Sequence, residues 1–80
     1  MTFLDRYHNE ERWWAKVTYM EIYHLFMTSC DKKWTIQDTA DIFEVSKSLV
    51  SENLKIAEAI HNDSTIMDCE SRNEALRRIK

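Results

Sequence analysis

The sequence predicts an all-α protein, a small helical bundle forming one domain over residues 1–80. Three observations carry this expectation. The chain has no Gly and no Pro, so nothing in it breaks a helix chemically and turns fall to Asn, Asp and Ser. Apolar residues recur at spacings of three and four, the period of a helix rather than of a strand. Helix-opening signals stand at Thr35 with Asp38, at Ser46, and at Ser71 with Glu74, each a hydroxyl able to accept from an unpaired backbone N–H. Eighty residues make one compact domain, and a chain of this size buries only roughly 60–65% of its unfolded surface.

Each element follows in order. Residues 3–28 read as a long, aromatic-rich N-terminal helix, with a weak point near His8 and Asn9. Its second half carries two apolar stripes. Trp13, Val17, Met20, His24 and Met27 form one, and Tyr19, Ile22, Tyr23 and Phe26 form another on roughly the opposite side. A helix apolar all round must be covered on more than one face. Part of it is therefore expected to pack against another chain, most simply a second copy, through Trp13, Trp14, Tyr19, Ile22, Tyr23 and Phe26. The competing expectation is that the C-terminal helices cover the second stripe. Residues 29–34 form the first loop. Thr35 caps a short helix ending near Phe43, Glu44 and Val45 make a tight turn, and Ser46 caps a helix to about His61. Its inner face is Val50, Leu54, Ala57 and Ile60. Asn62, Asp63 and Ser64 end it. A short helical turn over 65–68 and a full capping box, Ser71 to Glu74, lead into a last helix.

The helix pair over about residues 35–61 has the spacing that two steeply crossing helices need. Ala40, Val45 and Val50 fall five apart, with Ile36 and Phe43 before the turn and Leu49 and Leu54 after it. Ala40 supplies the small residue at the closest approach, and the branched residues fill the wedge.

Composition excludes several classes. No apolar run is long enough to cross a bilayer, so no membrane partner is expected, and no secretory or transit signal is visible. Cys30 and Cys69 are lone cysteines without a CxxC, expected as reduced, partly buried thiols in a cytosol. His24, Cys30, His61 and Cys69 lack the short spacings of structural zinc sites, and no cofactor is expected. No nucleophile–base pair or phosphate-binding glycine loop stands out, so an enzyme is not expected. Trp13 and Trp14 as stacking platforms for single strands are less favoured than as core or interface.

The string DTADIFEVSKSLVSENLKIAEAI resembles the helix-turn-helix of ParB-type partition proteins and phage regulators. The resemblance covers about a third of the chain and extends faintly through CESRNEALRRIK. It implies a second helix that enters the major groove of double-stranded DNA, in a transcriptional or replication/partition-type regulator of a bacterial cytosol, or of a host's if the source is a phage. Carried over by position, Lys47, Ser48, Ser51, Glu52 and Lys55 face outward, with Ser46 at the helix start. Thr35 and Gln37 would present polar groups to a phosphate. Arg72, Arg77 and Arg78 either hold the flanking backbone or serve the last helix alone, whose dipole equally favours basic residues in its final turn. The lysines can neutralise phosphate or reach guanine, the serines can bond phosphate or base, and Glu52 can accept from cytosine. One position departs from the pattern: Glu44 stands where such turns usually carry Gly. A Cβ at positive φ costs roughly 1 kcal/mol or more, so either the strain is tolerated or the turn is shaped differently.

Charge pulls the other way. Eleven basic against fourteen acidic side chains leave a net charge of −3, whereas duplex binding draws on neutralised phosphates. The excess acid lies mainly before residue 32. Dimerisation would join two half-sites and strengthen a weak single domain. The alternative expectation is an adaptor or inhibitor that uses the same helices against a protein partner in a larger nucleic-acid-processing complex.

Overall fold

The computed structural model describes residues 3–80 and divides the expected N-terminal helix in two, α1 (Phe3–Asn9) and α2 (Trp13–Cys30). The break lies just past His8 and Asn9. Its local cause is Glu10, whose carboxylate takes the Arg12 backbone N–H at 3.0 Å and the guanidinium in two contacts at 2.8 and 3.0 Å. A side chain that bonds the backbone two residues on offers the chain an alternative to the helical ladder. The same contacts hold the Glu10 carboxyl far below its ordinary range, at about 2. The tertiary cause is Tyr7. Once the chain bends, its ring lies edge-on to Phe43 at 5.0 Å with the Lys16 ammonium 4.7 Å over its face.

Helix α2 continues to Cys30, which is exposed rather than partly buried as expected. Asp31 closes it. The Asp31 N–H bonds Met27 O, while its carboxylate accepts from Lys33 N and its carbonyl from Trp34 N. Next come α3 (Ile36–Phe43), α4 (Lys47–Asn62), a 3₁₀ segment over Ser64–Asp68, and α5 (Arg72–Ile79). No strand occurs among the described residues. Thr35 and Asp38 form a reciprocal capping box at the start of α3, Ser46 caps α4, and Asp63 caps the 3₁₀ segment through Thr65. The expected box at α5 is only half made. Ser71 accepts from Glu74 N, but the Glu74 carboxylate reaches one residue further back, to Glu70 N.

The core is built on α2 and α4, which pack along each other and carry an apolar cluster at each end. At one end Val17, Ile56, Ala57 and Ile60 meet Ile66, Cys69 and Ala75. At the other, Met20 and Val50 meet Tyr7, Ala40 and Phe43. The inner face of α4 is wider than the expected Val50, Leu54, Ala57 and Ile60. It includes Asn53 and Ile56, both buried, and leaves Leu54 half-buried, because α4 touches α2, α3, α5 and the 3₁₀ segment.

Half of the residues expected at an interface between copies are used inside the chain. Trp13 donates its indole N–H to Cys69 O at 2.8 Å, and Trp14 packs on the same cluster beneath the Arg12 guanidinium. Tyr23 lies edge-on to Phe43 at 5.3 Å and to Trp34 at 6.4 Å. Tyr19 is half-buried, and Ile22 and Phe26 stay exposed.

Candidate functional site

The turn between α3 and α4 decides what α4 presents. Glu44 sits in the left-handed region at φ 59°, ψ 42°, the position that such a turn usually gives to Gly. Its N–H reaches Asp41 O at 3.3 Å and the Val45 N–H reaches Ala40 O at 3.0 Å, so two terminal carbonyls of α3 are satisfied. Val45 folds back into the cluster that holds Ala40, and both Ala40 and Val50 are wholly buried. Ser46 then accepts from Leu49 N at 3.1 Å. The strain at Glu44 is tolerated, and the first turn of α4 starts in the open.

On that turn Lys47 and Ser48 are exposed, as is Lys55 further along, and Ser51 is half-buried. Glu58 shares this outer face and is exposed. Beside it, α4 and α5 enclose an open cleft of about 580 Å³ with Ala59, Leu76 and Ile79 among its walls and Glu52, Lys55, Glu58 and Lys80 at its charged lining.

Other expected contacts are engaged elsewhere. Arg72 does not extend outward. Its Nη2 donates to Glu52 Oε1 at 2.8 Å and its Nε to Asn53 Oδ1, so the Glu52 carboxylate is engaged in an ion pair as well. The Thr35 hydroxyl accepts from Asp38 N and donates to the Asp38 carboxylate, which places a negative charge at the start of α3 where a phosphate was expected. Gln37 is exposed and donates to Asp41 at 2.9 Å. Arg77 is exposed, whereas the neighbouring Arg78 docks on Thr65, its guanidinium 3.1 Å from the hydroxyl. Between Lys33 and Lys47 the chain carries Asp38, Asp41 and Glu44 and no base. The α3 side of the site is therefore acidic, and the α4 side mixed.

Asn53 is a buried polar residue absent from the expected inner face of α4. It is 1% exposed, its amide N–H 3.3 Å from Met20 Sδ and its carbonyl held by Arg72. Its spacing of three from both Val50 and Ile56 was the available signal. A second buried polar group lies under α3. Thr39 Oγ1 accepts from Trp34 Nε1 at 2.8 Å and lies 2.6 Å from His24 Nδ1, and burial pushes the His24 pKa down. His61 Nε2 is 2.7 Å from the buried Glu21 carboxylate. Among the described residues no three His, Cys, Asp or Glu side chains group to hold a metal ion, and no helix is long and apolar enough to cross a membrane.

No known protein family, curated protein or solved structure matches this chain.

Proposed function

We propose that the protein binds double-stranded DNA sequence-specifically, as a helix-turn-helix regulator of transcription or of replication and partition. The opening turns of α4 enter the major groove. The observation that supports this best is the left-handed Glu44 between a buried Ala40 and a buried Val50, since it braces α4 from beneath and leaves Lys47 and Ser48 uncovered. Lys47 and Lys55 neutralise phosphate, and Ser48 and Ser51 bond phosphate or base edges. Arg72 is withdrawn from this reading because Glu52 and Asn53 hold it.

The test is fluorescence anisotropy of a labelled duplex across a salt series, for the native chain and for Lys47→Ala and Lys55→Ala, with circular dichroism as the folding control. The native chain should lose affinity steeply as salt rises, and each variant should lower the log–log slope by about one unit. Absence of binding at low salt, or variants indistinguishable from the native chain, would overturn it.

One observation favours a second reading, a protein-binding adaptor: the acidic run Asp38, Asp41 and Glu44 on the side of the site that would flank a phosphate backbone. An adaptor gives no salt-dependent duplex binding, so the same series separates the two.

A further inference from the structure

From Val17 to Cys30 the only charged side chain of α2 is Glu21, and it is buried against His61. The outer face of these turns therefore carries no charge, in a protein whose residues are 31% charged. On that face Ile22, Leu25 and Phe26 are 51%, 57% and 63% exposed. Thr18 and Ser29 flank them, and their hydroxyls are turned onto their own helix. Thr18 Oγ1 donates to Ala15 O at 3.0 Å and Ser29 Oγ to Phe26 O at 2.9 Å. Covering this face would strand neither a charge nor a hydroxyl proton.

We propose that this stripe is a two-fold interface between two copies of the chain, their α2 helices antiparallel across the axis. The stripe is self-complementary in its order. Thr18, Ile22, Leu25 and Ser29 fall at spacings of four, three and four, and read hydroxyl, aliphatic, aliphatic, hydroxyl from either end. A two-fold axis between Ile22 and Leu25 sets each Ile22 against the other copy's Leu25 and each Thr18 against its Ser29, with the two Phe26 rings alongside. Two such faces meet with no like charges opposed, although each chain carries a net charge of −3. This interface does not depend on the DNA-binding reading. The stripe offers on the order of 300 Å² per copy, against about 800 Å² in a standard interface. Self-association is accordingly weak.

The test is sedimentation equilibrium from about 5 to 500 µM, the range in which weak association is read, with circular dichroism on every variant. The native chain should pass from monomer to dimer. Ile22→Lys and Leu25→Glu, both at exposed positions that leave the core intact, should be monomers throughout. The double variant I22K/L25E should recover the dimer, since the antiparallel register sets each new lysine beside the other copy's new glutamate. A native monomer at the highest concentration would overturn the proposal and leave the stripe to a different protein. Single variants that still dimerise would place the interface elsewhere, and a double variant that stays monomeric would overturn the antiparallel register.

Discussion

Glu44 holds a backbone conformation that penalises any residue with a Cβ. The penalty is roughly 1–2 kcal/mol, against about 0.5–1 kcal/mol of extra chain entropy that a Gly loses on folding. Glu44→Gly should therefore stabilise the protein by about 0.5–1 kcal/mol, read as a higher urea midpoint with unchanged slope. Glu44→Ala keeps the Cβ and should stay near the native midpoint; equal stabilisation by both would assign the effect to charge instead. A second single residue reports on acid. The Thr39 hydroxyl accepts from the Trp34 indole N–H and stands 2.6 Å from His24 Nδ1, in surroundings that bury the imidazole. Burial lowers the folded-state pKa of His24 below its ordinary 6.5. As pH falls through that value the unfolded chain takes up the proton first, so this contribution to stability is complete above the ordinary pKa and is lost below it. His24→Asn should show a smaller drop in unfolding free energy between neutral and mildly acidic pH than the native chain. An identical drop would remove His24 from the acid response.

At the scale of elements, the consequential joint is where α5 meets α4. One guanidinium serves both the Asn53 carbonyl and the Glu52 carboxylate. The Glu52 pair is partly exposed and by itself contributes little. The buried amide matters more, because a polar group left without a partner in the interior costs about 1–3 kcal/mol. Arg72→Ala should destabilise by that amount in urea unfolding, and Arg72→Lys should recover little of it, since a point-like ammonium does not span two acceptors as the planar fork does. If Arg72 instead served DNA, its removal would weaken duplex binding and leave the unfolding midpoint in place. The break between α1 and α2 belongs to the same scale. Glu10 turns the chain locally through its bonds to Arg12, and the Tyr7 ring packed on Phe43 adds a tertiary reward for the bend.

For the whole molecule, two apolar clusters on a shared α2–α4 pair leave two outward surfaces with opposite character. The first turns of α4 are polar with exposed lysines, and the later turns of α2 are apolar and uncharged. Salt acts on them with opposite sign. It competes with lysines for phosphate, but it screens the mutual repulsion of two acidic chains and does not weaken apolar contact. Duplex binding should fade, and self-association persist, along one salt series.

Much of this architecture was legible in the residues alone. The helical class followed from the absence of Gly and Pro, and the starts of α3, α4 and α5 from Thr35, Ser46 and Ser71, because capping is a bond within four residues of chain. The departure at Glu44 was visible for the same reason, as turn chemistry is local. Tertiary structure decided the rest, where the partners lie far apart in sequence. Trp13 finds the carbonyl of Cys69, Asn53 finds Met20 and Arg72, and Tyr23 finds Phe43. Periodicity showed that α2 was apolar on two sides, but only packing chose which aromatics face inward and left Ile22, Leu25 and Phe26 outside. A helical repeat records which residues share a face, whereas which face is covered depends on how distant helices fit together.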